Sequence, residues 1–270
     1  MSGYDDLTTI RCHQPRDGLL VATLSRPDQL NAIDGAMLAD FETLCARLKA
    51  DETVRVLLIT GQGRGFCSGA DLTAVAAQKH SGAFADPDTY LRQIQERFGA
   101  LTTGLRSIPQ PVIAAVNGPA AGGGFAIALA ADIRIVAEPA YFVASFINIG
   151  LSAGELGVSY LLPRLVGLSR AADILFTGRK VGAAEAERIG LASRVVPEAD
   201  LMATALEAAD AMLAKTTGGL RLTKQVLDAN MAAPSLAAAI DLENRNQTML
   251  IFSGDFFKLI QAFAKKNSDE

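Results

Sequence analysis

The chain has no tryptophan, only two histidines and three cysteines in 270 residues, and each scarcity removes a class of chemistry. His13 and His80 leave little material for a His-rich metal site or a hydrolytic triad. Cys12, Cys45 and Cys67 stand too far apart for zinc-ligand spacing. An odd, scattered set of thiols suits a reducing compartment, so a cytoplasmic location and no bound metal are expected. Positive charge is also short: 25 Lys and Arg against 29 Asp and Glu give a net −4. No basic block matches a phosphate backbone, which disfavours a nucleic-acid partner. The longest apolar stretch, residues 120–131, contains three glycines and stops at Asp132. That is below the roughly 18 residues needed to span a bilayer. The opening MSGYDDLTTI lacks the basic-then-apolar plan of a signal peptide, so no membrane partner is expected either.

What the chain does have is apolar material, 50% of its residues, enough for a large core. Its pattern is α/β. Residues 8–12 and 19–24 alternate as strands around a turn at Pro15-Arg16-Asp17-Gly18. Asp34 can cap a helix carrying Met37, Leu38, Phe41, Leu44, Cys45 and Leu48 on one face. Residues 54–60 form a buried strand running into Gly61-Gln62-Gly63-Arg64-Gly65. A polar stretch over 78–88 has loop composition, and residues 90–106 read as helix ending before Pro109 and Pro111. Strand 112–116, the Asn117-Gly118-Pro119 turn, three glycines and an apolar helix then repeat the strand, glycine loop and helix plan. Strand 133–137, short helices around 169–178 and 183–190, and a last strand at 192–196 precede a helical tail that begins with residues 198–215. Its Phe252, Phe256, Phe257, Ile260 and Phe263 are unusually apolar. They either cover the protein's own core or pack on a neighbouring subunit.

Two glycine loops follow buried strands. Glycine lets the backbone approach a ligand with amide N–H groups free to point at it. The second loop opens a helix, adding the positive end of its dipole. Converging on one oxygen, two such amides make an oxyanion hole. Close helix packing is the plainer use of Gly122–Gly124. A dinucleotide fingerprint fails because Phe66 stands where a third glycine belongs, and no Gly-Lys-Ser/Thr makes a phosphate loop.

Residues 25–32 (SRPDQLNA), Gly61 to Leu72 with its Phe66-Cys67-Ser68-Gly69-Ala70-Asp71 core, and Val116 to Gly124 (VNGPAAGGG) together resemble the crotonase superfamily, the enoyl-CoA hydratase/isomerase family. So do Leu162-Pro163-Arg164, Thr177-Gly178-Arg179, Ala184-Glu185-Ala186 and Gly190-Leu191-Ala192. The resemblance runs in order from about Gly18 to Val196. It implies a superhelix of ββα turns with a C-terminal helical region: a core over 1–197 for acyl-CoA binding and catalysis, and 198–270 for oligomerisation as trimers or hexamers. It implies an acyl-CoA thioester as substrate and no separate cofactor, coenzyme A being part of the substrate. The family's oxyanion amides fall on Ala70 and Gly123. Contacts to the substrate fall around Arg26, Asp28, Gln29, Ser68, Asp71 and Leu72. Asp28 stands where relatives often carry a lysine, so Arg26, Arg64 or Lys265 would have to meet the phosphates.

Hydratases of the family use two glutamates, whose positions here are Ala126 and Phe146; neither side chain transfers a proton. Nearby is Glu155. Counted back from Leu161-Leu162-Pro163, it matches the lone acid of Δ3,Δ2-enoyl-CoA isomerases; counted forward from Gly150, it lies one residue late. A solvated acid at a helix start is its structural alternative. As an isomerase acid, it would sit among Phe146, Ile149, Leu151 and Leu156, with water kept out. Ser68, Cys67 and Ser145 have no histidine placed to activate them. The expected activity is therefore acyl-CoA double-bond isomerisation. Hydration by an atypical site and acyl-CoA binding without turnover are the alternatives.

Overall fold

Side-chain alternation decides which way each strand of this molecule faces. The computed structural model describes residues 3–77 and 81–268, apart from the side chains of residues 263 and 265–268. The strands are β1 (Ile10–Arg16), β2 (Leu19–Leu24), β3 (Val56–Gly61), β4 (Val112–Val116), β5 (Ala120–Ala121), β6 (Ile133–Ala137), β7 (Tyr141–Val143), β8 (Val181–Gly182) and β9 (Arg194–Val196). The first helices are α1 (Gly35–Ala50), α2 (Leu72–Ala77), α3 (Pro87–Tyr90), α4 (Glu96–Ser107), α5 (Gly123–Ala130) and α6 (Val158–Val166). They are followed by α7 (Leu168–Thr177), α8 (Ala183–Arg188), α9 (Leu201–Leu213), α10 (Thr217–Asn230), α11 (Leu236–Ile251) and α12 (Asp255–Ser268).

The main sheet has the order β1-β2-β3-β4-β6-β9, with β1 antiparallel to β2 and the remaining neighbours parallel. Leu19, Val21, Val56, Leu58, Ile113, Ala115, Ile135 and Ala137 point to one face, where Leu201, Ala205 and Ala209 of α9 cover them. The intervening Leu20, Ala22, Leu24, Leu57, Ile59, Val112, Ala114 and Val116 share the larger core with α1, α4 and α5. Period-two alternation thus buries both faces of a parallel sheet. A second, smaller sheet, β5-β7-β8, stacks the short strands that follow β4 and β6. Long strand, short strand and helix make one turn (β4, β5, α5), and β6 and β7 begin the next. This is the ββα superhelix of the crotonase fold.

Several boundaries differ from the sequence expectation for identifiable reasons. β1 runs on through Pro15 to Arg16, with an irregular register between His13 and Arg16, so the turn tightens to Asp17-Gly18. β1 is an edge strand, where a missing proline N–H costs nothing. Residues 90–106 are not one α-helix: a π-helical segment, Leu91–Gln95, separates α3 from α4. Helix already begins at Pro87, inside the stretch expected to be loop, with Asp86 accepting from Thr89 N–H as its cap. Residues 78–80, including His80, lie outside the described residues. The short strands β5, β7 and β8 escaped the sequence reading because two or three residues carry no readable period.

Past the boundary expected at 197/198, α9 packs on the sheet through Leu201, Ala205 and Ala209. Beyond it, Lys224 of α10 reaches the core, where its Nζ donates to Gln110 O at 2.8 Å and pairs with Asp132 at 3.1 Å. By contrast, Phe252 is 82% exposed, and Phe256, Phe257 and Ile260 are exposed as well. These side chains do not cover this chain's own core.

Candidate active site

β3 and β4 end side by side, and the loops beyond them are tied by two asparagines. Asn117 Oδ1 accepts from Gly61 N–H at 3.1 Å, and its Nδ2 donates to Gly63 O at 2.8 Å. Asn31, fully buried and with φ +56°, donates to Gln62 O and Gly65 O and accepts from Arg26 N–H. Both asparagines lie in the motifs, but their bonding was not readable from sequence. The residue type was the signal in each case: asparagine tolerates tight turns and left-handed backbone and bonds to nearby backbone groups.

The chain after Gly65 then pairs by isolated parallel bridges, Cys67 with Ala120 and Ile33 with Ala70. Ile33 N–H donates to Gly69 O at 2.7 Å, and Ile33 O accepts from Asp71 N–H at 2.9 Å. In a parallel bridge one residue bonds through its own N–H and O, here Ile33, while the other is spanned by its neighbours' peptide groups and its own amide faces the opposite side. Ala70 N–H is therefore turned away from Ile33. Gly122 N–H donates to Val143 O, and Gly123 is the first residue of α5, where an N–H has no intrahelical acceptor. Among the described residues neither Ala70 N–H nor Gly123 N–H has an acceptor. The loops touch closely enough to require glycine. A Cβ on Gly124 would lie 2.1 Å from Cys67 O, and Gly69, at φ +92°, would place one 2.8 Å from Ala121 O.

Both amide-bearing residues open onto a cavity of about 510 Å³. Ser68, Ala70, Leu72, Gly123, Phe146 and Glu155 line it, together with Ile149, Leu151 and Leu156. The structure thus brings these expected site residues together. Arg26, Asp28, Gln29 and Asp71 lie off its wall. Asp28 and Gln29 are exposed on the 3₁₀ turn Pro27–Gln29. Arg26 is engaged internally: its guanidinium pairs with Asp34 and Asp71, each at 3.1 Å, and donates to Ala32 O. That arrangement neutralises Arg26 and clamps the 26–34 segment to the Ala70 loop, leaving exposed Arg64 as the unpaired arginine nearby. The side chain of Lys265 lies outside the described residues.

Glu155 is half-buried on the cavity wall and accepts a hydrogen bond from Gln95 Nε2. Gln95, Tyr90 and Phe98 line the cavity too, and none was marked from sequence, where they read as ordinary positions of a helix. The Ala126 side is closed: its methyl is fully buried within α5. The Phe146 ring packs against Gly122, with Cε1 3.6 Å from where a Cβ would stand. Cys67 is no nucleophile, as complete burial pushes its thiol up to about 12. Among the described residues no group of three metal-ligating side chains occurs, and no helix is long and apolar enough to cross a membrane.

A superhelical α/β shell with two unengaged amides beside an apolar cavity is the arrangement implied by the sequence resemblance. The family model for enoyl-CoA hydratase/isomerase matches residues 14–270. A mycobacterial relative, the probable enoyl-CoA hydratase EchA12 of Mycobacterium tuberculosis, is 40% identical over 270 residues, covering 99% of this chain and 94% of its own. The 1,2-epoxyphenylacetyl-CoA isomerase of Escherichia coli is 35% identical over 253 residues, 94% of each chain. The crystal structure of a monofunctional enoyl-CoA isomerase from Mycobacterium smegmatis superposes with a TM-score of 0.73 at 41% identity, covering 86% of this chain and 98% of that one. The chain belongs to the enoyl-CoA hydratase/isomerase family.

Proposed function

We propose that this family member is an acyl-CoA double-bond isomerase of the Δ3 to Δ2 type, with Glu155 as the proton carrier. The observation that carries the reading is the company Glu155 keeps: it shares one cavity with the Ala70 and Gly123 residues, while the hydratase glutamate positions hold Ala126 and Phe146. Relatives named as isomerases support it; the name of EchA12 points the other way.

The chemistry balances with one acid. The Glu155 carboxylate takes a proton from C2 of a 3-enoyl thioester, and the electron pair moves onto the carbonyl oxygen. Ala70 and Gly123 N–H groups receive that dienolate oxygen; each such donor is worth roughly 3–4 kcal/mol in the transition state. The carboxylic acid then returns the proton to C4, the double bond settles between C2 and C3, and the carboxylate is restored. Phe146 keeps a water from taking the second face. The apolar wall accepts the acyl chain. Coenzyme A would pass over the Ser68–Leu72 and Arg26–Gln29 loops, with no further cofactor. The exposed apolar tail suits packing into a trimer or hexamer of this chain, and three free thiols suit the cytoplasm.

The test offers purified protein a 3-enoyl-CoA and a 2-enoyl-CoA, following conjugation and water addition separately. Conjugation should proceed in the wild type and fall by about 10²–10⁴ in Glu155→Gln with thioester binding retained. Glu155-dependent water addition would instead mean a hydratase, and saturable binding without turnover an inert binder.

A further inference from the structure

We propose that Gln95 is a positioning residue for Glu155, delivered to the cavity by a π turn; this rests on Glu155 being the proton carrier. Between α3 and α4, Glu96 N–H donates to Leu91 O, five residues back rather than four. The consequence is seen in which side chains face the cavity. Tyr90 and Gln95, five apart, both line it, whereas Leu91 is 46% exposed. In an unbroken α-helix residues five apart diverge by roughly 140°, and Leu91 would share Gln95's face instead. Such π segments occur mostly as single-turn insertions and frequently at functional sites.

The face so built grips the Glu155 segment at two points. Gln95 Nε2 donates to Glu155 Oε1, and the buried Thr102 hydroxyl donates to Leu156 O at 2.7 Å. Leu156 has φ +49°, a left-handed conformation that a leucine adopts only when its surroundings impose it. Among the described residues Oε2 of Glu155 has no hydrogen-bond partner, so one oxygen is held and the other is free to carry the proton. A primary amide suits this task. It donates to Oε1 of the carboxylate and goes on donating to the same oxygen when that becomes the carbonyl of the carboxylic acid and the proton rides on Oε2, so it stays bonded in both halves of the cycle. Held this way, the free oxygen can reach C2 and then C4; unheld, the acid would lose its proton to water before C4 is reached.

The experiment compares wild type, Gln95→Met, Gln95→Asn and Glu155→Gln in D2O with a 3-enoyl-CoA. It reads kcat, KM and the ratio of C2 hydrogen exchange to conjugated product. Methionine keeps length and volume without the donor, and asparagine keeps the amide but shortens its reach. Both should lower kcat by about 10- to 100-fold with KM within about twofold, and raise the exchange ratio. Wild-type kcat in Gln95→Met, or an equal loss of exchange and product with the ratio unchanged, would overturn the positioning role while leaving the carrier in place. Full activity in Glu155→Gln would remove the carrier itself and the inference with it.

Discussion

Asp71 illustrates how a charged residue beside a reaction site can be structural. Its Oδ1 accepts from Ala74 N–H at 3.0 Å and its Oδ2 faces Arg26. The Ala74 bond and then the Arg26 guanidinium hold its carboxyl below the ordinary aspartate value of 3.8. Because the folded value is depressed, the stabilisation is present above pH 3.8 and is lost as pH falls below it. Asp71→Asn keeps the cap but loses the ion pair. It should cost about 1–2 kcal/mol at pH 7, and the difference from wild type should narrow steadily as pH falls below 3.8, read from urea midpoints. Motif spacing anchors Ala70 and Gly123 in the sequence, whereas Glu155 had two registers there and only the structure places it on the same cavity. Gln95 and Tyr90 could not be located from sequence, since hydrophobic spacing does not report an inserted π turn. Arg26 looked like a phosphate ligand from its motif; only its neighbours Asp34 and Asp71 reveal the internal pairing.

At the scale of elements, the close approach of two loops is the costly feature. Gly124→Ala would force a Cβ to within 2.1 Å of Cys67 O and 2.7 Å of Cys67 Cβ, separating the Ala70 loop from α5. We expect a loss of about 3 kcal/mol or more in unfolding free energy, together with loss of turnover. Gly99 in α4 gives the contrasting case, since a Cβ there meets nothing within 4 Å. Gly99→Ala should raise stability by about 0.5–1 kcal/mol through helix propensity. Denaturant midpoints of the two variants, moving in opposite directions, check both statements. The long strands and α1 were readable from sequence because they bury whole faces at regular period. The smaller sheet was not, for its strands gain their pairing only from the superhelical stacking of β5 on β7.

At the scale of the molecule, the single chain leaves several large apolar side chains in solvent: Leu168, Phe176, Leu236, Met249 and Phe252 are each more than 60% exposed. Where such side chains adjoin, they mark interfaces. The protein should sediment at a multiple of its 28.4 kDa chain mass, and Phe252→Asp combined with Phe257→Asp should shift it toward the single chain. A wild-type monomer by analytical ultracentrifugation would contradict this. The aromatic tail had two readings in sequence, core cover or subunit contact, and exposure excludes the first for Phe252, Phe256, Phe257 and Ile260.

One ratio bears most directly on the account as a whole: kcat/KM for a 3-enoyl-CoA in wild type over Glu155→Gln, taken with thioester affinity measured in both. A ratio of about 10² or more at unchanged affinity is the expected result. A ratio near one in protein that converts the substrate would mean that another group moves the proton.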